Sequence, residues 1–146
     1  MNYLPIAQRL KYEWTNIERL IDAFCHSSWA NEQIPRAESN ERLEFLGDSV
    51  LDLLCAEFFM VKMPSAREGK LSQSRAQVAC EAYLAEIGKK LHLGELLLVG
   101  RGAENIRNLN SVLADTVEAI IGAAYRDGGI NAARQIVMAA GILKWD

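Results

Sequence analysis

The chain has 146 residues, half of them apolar, with ordinary Gly and Pro counts and a net charge of −3. That composition suits one soluble globular domain with a core that buries roughly 68–70% of the unfolded surface; it excludes a disordered or fibrous chain and leaves no room for a second domain. The acidic balance by itself does not point to nucleic acid, although carboxylates that hold a divalent metal reverse that logic because the ion supplies the missing positive charge.

No apolar run is long enough to span a membrane. Nothing after Met1 reads as a secretory leader, so the cytoplasm is the expected compartment. Apolar residues recur at three- and four-residue intervals nearly everywhere, without sustained two-residue alternation, which predicts an all-α fold. Thr15 and Glu18 have capping-box spacing ahead of a helix that buries Ile17, Leu20, Ile21 and Phe24 and ends near His26. His26 is expected to be a hydrogen-bonded structural residue near that helix end rather than a base. A polar segment from Asn31 to Ser39, with Pro35, leads into a long helix from about Asn40 to Lys62 that Pro64 terminates. A loop from Ser65 to Gly69 follows, then one or two helices between Leu71 and Leu91, with a break near Cys80. Gly94 to Asn110 reads as the longest irregular stretch. A strongly apolar helix from about Ser111 to Arg126 is stopped by Gly128 and Gly129, and Asn131 is placed to cap a last helix closed by Gly141. Cys25, Cys55 and Cys80 lack CxxC spacing and are expected to be small buried apolar residues, neither a disulfide framework nor a zinc site.

The chemistry concentrates in Glu41-Arg42-Leu43-Glu44-Phe45-Leu46-Gly47-Asp48-Ser49. At about 100° per residue, Leu43, Leu46, Gly47, Val50, Leu53 and Leu54 fall on one broad face, and Glu41, Glu44 and Asp48 on another. A carboxylate row of this kind is ordinarily a solvated face. A second helix alters that reading: Asp115 and Glu118 stand at i, i+3 in an otherwise almost wholly apolar stretch, with no lysine or arginine between Asn108 and Tyr125. Burying an unpaired carboxylate is costly, so these acids need partners. Gly47 and Gly122 each cost about 1 kcal/mol relative to alanine inside a helix, which implies a close approach of the two helices there. Such an approach brings Glu44, Asp48, Asp115 and Glu118 into one hard, all-oxygen site suited to Mg²⁺, with Mn²⁺ able to substitute, and unsuited to zinc.

The stretch Asn40 to Leu51 resembles the signature of ribonuclease III. The resemblance continues through His26-Ser27-Ser28, Arg67-Glu68-Gly69-Lys70-Leu71-Ser72 and Leu113-Ala114-Asp115-Thr116-Val117-Glu118-Ala119, in order along nearly the whole chain. It implies that residues 1–146 form the catalytic domain of a Mg²⁺-dependent, homodimeric endonuclease of double-stranded RNA. Such an enzyme leaves 5′-phosphates and short 3′ overhangs, commonly in ribosomal RNA processing. By motif position Glu44, Asp48, Asp115 and Glu118 are the implied metal ligands and catalytic residues. Glu41 and Glu68 match auxiliary acidic positions near the scissile phosphate or a second metal.

Phe45 lies off the main apolar face, where boundary packing is the ordinary explanation. The resemblance instead implies that it plugs a socket on a partner subunit. Arg67, Lys70, Arg75, Arg101 and Arg107, with Asn105, Asn108 and Asn110, are candidate RNA contacts, although each basic residue taken singly reads as an ordinary surface charge. The chain ends where a linker and a double-stranded-RNA-binding domain follow in the family pattern, so weak and salt-sensitive RNA binding is expected of this domain alone. Two other classes stay open at this level: a catalytically silent relative serving as an RNA-binding or ribosome-associated scaffold, and a helical interaction domain whose acids bind basic partners.

Overall fold

The computed structural model describes residues 1–145, and Asp146 lies outside the described residues. The fold is all-α, as the periodicity predicts. In chain order the helices are α1 (Leu4–Arg9), α2 (Glu18–Asp22), α3 (Ser27–Ala30), α4 (Glu41–Lys62), α5 (Glu68–Val78), α6 (Glu81–Lys90) and α7 (Asn110–Ala139). Two 3₁₀ turns, Leu93–Leu96 and Glu104–Ile106, punctuate the stretch before α7. No helix among the described residues is long and apolar enough to cross a membrane.

The core is built on the pairing of α4 with α7, flanked by α6. From α4 come Val50, Leu51, Leu54 and Cys55; from α7 come Leu113, Val117, Ile120, Ile121 and the small residues Ala119, Ala123 and Ala124, all buried. The two interior glycines lie where these helices touch. A Cβ on Gly47 would fall 1.7 Å from the carbonyl oxygen of Glu118, and one on Gly122 would fall 2.1 Å from that of Leu43. Both distances are far inside van der Waals contact, so the helices approach backbone to backbone, as the glycines imply.

α4 starts one residue after Asn40 and ends one before Met63, where Pro64 cannot extend the helix. α7 is interrupted at Gly129 (φ 75°, ψ −163°), one of the two glycines expected to stop it, and Gly141 (φ 78°) closes the segment after it. Asn131 is not the cap of that last segment; its side-chain oxygen accepts a hydrogen bond from Arg134.

Several local expectations give way to longer-range contacts. Thr15 does not cap α2, whose N-cap position is Ile17 without a side-chain bond. The backbone N–H groups of Thr15 and Asn16 donate instead to the carboxylate of Asp127, at 2.7 and 3.0 Å. Helix α2 is also shorter than expected, and Phe24 is buried in the turn beyond it. Residues 68 and 69, expected in a loop, already belong to α5. All three cysteines are free; Cys25 and Cys55 are buried as expected, but Cys80 is only half-buried because it sits at the α5–α6 break. α1, which sequence periodicity leaves unmarked, docks through buried Ile6 and Ala7.

Candidate metal centre

The start of α4 is held by buried Asn40. Its side-chain amide donates to the Ala23 carbonyl at 2.9 Å and its backbone N–H to that of Cys25 at 2.8 Å. This fixes the first turns of α4, and with them Glu41 and Glu44, against the α2–α3 turn. Across the glycine contact, α7 delivers Asp115 and Glu118. Thr116 between them is fully buried and satisfied locally, donating its hydroxyl to the Val112 carbonyl at 2.7 Å.

Glu44, Asp115 and Glu118, all half-buried, each offer an oxygen within 4.8 Å of the others. Asp48 is more exposed, outside that trio, and close enough to Glu118 to act on its carboxyl. Burial pushes the Glu118 carboxyl up to about 8, with Asp48, Glu44 and Asp115 adding like-charge repulsion. Burial, followed by the charge of Asp115 and a hydrogen bond with it, likewise raises Glu44 to about 7. Asp115 is raised by burial too, with Glu81 and Glu41 adding to the effect against a hydrogen bond from Glu44 and the influence of His26.

The neighbours that act most on these three acids are other acids, with His26 besides for Asp115. The set therefore fits a divalent cation: its donors are all carboxylate oxygens, the hard ligands Mg²⁺ takes, gathered within 4.8 Å of one another.

The auxiliary acids separate. Glu41 is exposed and accepts a hydrogen bond from Ser39 at 2.9 Å, yet its charge reaches Glu44 and Asp115. Glu68 opens α5, accepts a hydrogen bond from Ser72 at 2.8 Å, and stands outside the cluster of ligand oxygens. Glu81, at the first turn of α6, is a neighbour of Asp115 that no motif spacing marks, because it belongs to a different helix. Of the candidate RNA contacts, Arg67, Lys70 and Arg101 are exposed, whereas Arg107 is committed to the fold. Its guanidinium binds the carbonyls of Gly94 and Leu97 and the carboxylate of Glu104.

His26 is a helix cap, as expected of it: Nδ1 accepts from the Ser28 N–H at the start of α3. Phe45 is 79% exposed at the edge of a concavity of about 1090 Å³, whose apolar wall includes Cys25, Trp29, Leu43, Leu46 and Leu98.

The ribonuclease-III-like family pattern matches residues 16–144. The chain belongs to the ribonuclease III family. Among curated relatives, Ribonuclease 3 of Caldanaerobacter subterraneus is 42% identical over 135 residues, covering 91% of this chain and 59% of that protein. Ribonuclease 3 of Pseudothermotoga lettingae is 42% identical over 141 residues, covering 92% and 59%. The chain thus spans a little under three fifths of these relatives. It matches the nuclease domain of Campylobacter jejuni ribonuclease III almost end to end, with a TM-score of 0.87, 37% identity and 95% of both chains covered. That structure concerns flexibility in the region of the Campylobacter domain involved in dimer formation. A second structure of the same nuclease domain gives a TM-score of 0.85 at 36% identity. The helical fold is accordingly that of a ribonuclease III nuclease domain.

Proposed function

We propose that residues 1–146 are the catalytic domain of a ribonuclease III that hydrolyses phosphodiester bonds of double-stranded RNA with Mg²⁺, leaving 5′-phosphates and short 3′ overhangs. The observation that carries this reading is the convergence of Glu44, Asp115 and Glu118 from two glycine-apposed helices, where each is surrounded chiefly by other acids. Glu44, Asp115 and Glu118 hold the ion, and Asp48 completes the set through Glu118. A bound Mg²⁺ or Mn²⁺ supplies positive charge that activates water and offsets charge developing on the phosphate. Glu41, whose charge reaches Glu44 and Asp115, and Glu68, by its motif position, serve as auxiliary acids.

The domain works as a homodimer. Exposed Phe45 of each protomer docks on the apolar wall of the partner's concavity under two-fold symmetry, and two symmetry-related sites then address the two strands of one duplex. Ribosomal RNA precursors in the cytoplasm are the expected substrate class.

The deciding experiment compares the unaltered protein with Glu118→Gln on a long RNA duplex, with Mg²⁺ and with chelator. Cleavage is expected only from the unaltered protein with metal. Equal cutting by the variant, or cutting that persists in chelator, overturns the reading.

A further inference from the structure

The concavity beside Phe45 is apolar only in part. Glu18 and Asp22, one turn apart on α2, also line it, together with Glu38 from the loop before α4. Arg19 of the same helix is directed to the buried Asp127 carboxylate, 3.4 Å away. Asp22 faces the concavity, and among the described residues no ion pair or side-chain hydrogen bond engages its carboxylate. Loss of part of its water, followed by the charges of Glu18 and Glu38, pushes that carboxyl up against the pull of Arg19.

Covering the concavity with a second copy of the chain takes Asp22 out of water, and a buried carboxylate is costly unless a cation meets it. Whatever seats Phe45 on the apolar wall must therefore bring positive charge with it. Within one helical turn of Phe45 on either side, residues 41–49, the sequence has a single cation, Arg42; Glu41, Glu44 and Asp48 are acids. Arg42 stands at the i, i+3 spacing from Phe45 that makes two residues neighbours on a helix surface. Its side chain is 87% exposed, and its ion pair within the chain is with Glu38, itself 72% exposed, at 3.6 Å. A surface pair of that kind contributes little, so Arg42 is free to exchange it.

We propose that the homodimer is held in register by a reciprocal ion pair: Arg42 of each protomer enters the partner's concavity beside Phe45 and meets the Asp22 carboxylate there. Two-fold symmetry gives each dimer this contact twice. The pair adds selection to the apolar docking of Phe45, because a surface that places like charges opposite each other at this point is rejected.

This inference rests on the homodimer proposed above, and charge reversal tests the two separately, with sedimentation equilibrium of the full chain as the readout. Arg42→Glu alone sets two acids against each other at both contacts, and Asp22→Arg alone sets two arginines. Each variant is expected to raise the dimer dissociation constant on the order of a hundredfold or more. An equimolar mixture of the two is expected to dimerise close to the parent's affinity, because in the heterodimer the new glutamate meets the new arginine and the native Arg42 meets the native Asp22. A pair formed within one chain gives no such rescue. Urea unfolding checks that each variant folds. Should Asp22→Arg fail to fold, Arg42→Gln and Asp22→Asn form a double-mutant cycle on the same dissociation constant, in which the two losses are expected not to add. If the unaltered protein is a monomer, or if Phe45→Ala stays dimeric, the dimer reading falls and this inference with it. If the parent dimerises through Phe45 but the reversed variants dimerise equally well, the mixture is not rescued or the cycle is additive, only the pairing of Arg42 with Asp22 is overturned.

Discussion

Asp48 on α4 lies close enough to Glu118 on α7 to favour the protonated form of the Glu118 carboxyl in the metal-free protein. Burial first, then the charges around it, pushes Glu118 from 4.5 up to about 8, and Glu44 rises from 4.5 to about 7 for the same reasons. An acid whose value is higher folded than unfolded binds more protons in the folded state. Its contribution to stability is therefore complete below about pH 4.5 and is lost as pH rises through about 7 for Glu44 and about 8 for Glu118. We expect these two groups to lower the melting temperature of the metal-free protein between about pH 5 and 8, and Glu118→Gln to flatten that decline. Mn²⁺ affinity is expected to rise over the same window, with proton release measurable by calorimetry in buffers of different ionisation heat. An affinity that is flat with pH across that window contradicts the assignment of these carboxylates as ligands.

The contact between Gly47 and the Glu118 carbonyl predicts that a single methyl group disables the site without touching a carboxylate. Gly47→Ala places a Cβ 1.7 Å from that oxygen, and Gly122→Ala places one 2.1 Å from the Leu43 oxygen. Helix propensity alone favours alanine by about 1 kcal/mol, but the clash forces α4 and α7 apart, and overpacking costs about 1–3 kcal/mol or more. Either variant is expected to melt at a lower temperature and to lose Mn²⁺ binding with all four acids intact. A stabilised Gly47→Ala protein with full affinity is incompatible with the backbone contact.

The same glycines explain how much of the site was legible in the sequence. Glu44 and Asp48 share a helical face by spacing, as do Asp115 and Glu118. The two glycines inside those helices signal where the faces meet, so the cluster follows from periodicity and the cost of helical glycine. Contacts between residues distant in the chain carry no such period. Thr15 and Glu18 obey the capping-box rule, yet Asp127, from the middle of α7 just before Gly129, captures the backbone groups that Thr15 was expected to organise. Arg107 looks like a free surface charge until its carbonyl partners are seen, and Glu81 reaches Asp115 from a helix that bears no acidic motif.

Asp127 yields a prediction of its own. Its side chain is 1% exposed and accepts from Tyr12 Oη at 2.8 Å as well as from Thr15 and Asn16, with Arg19 at 3.4 Å. Burial pushes its carboxyl up, but the bonds from Thr15, Tyr12 and Asn16 and the Arg19 charge together hold it below 3.8. Its contribution is thus present above about pH 4 and fades as pH falls through its lowered folded-state value. Removing one partner of a buried ionic network costs about 3–5 kcal/mol. Asp127→Ala is expected to lose stability on that scale in urea unfolding, with Asp127→Asn between it and the unaltered protein. Because Asp127 lies away from the ligand cluster, folded Asp127→Asn is expected to bind Mn²⁺ normally.

Phe45 separates folding from assembly. Being 79% exposed, it contributes little to the fold of one chain, so Phe45→Ala is expected to leave monomer unfolding in urea almost unchanged. In the proposed dimer the same ring packs on the apolar wall of the partner's concavity, and removing a buried phenylalanine costs about 3–5 kcal/mol per site. Two-fold symmetry applies that loss twice. Sedimentation equilibrium is expected to show the unaltered protein as a dimer and Phe45→Ala dissociating at concentrations about ten-thousandfold higher or more, by the ~1.4 kcal/mol per tenfold relation. Single-chain metal sites do not require the partner, so Mn²⁺ affinity is expected to survive the substitution while duplex cleavage falls. A Phe45→Ala protein that stays dimeric at the concentrations where the parent does places the interface elsewhere on the surface.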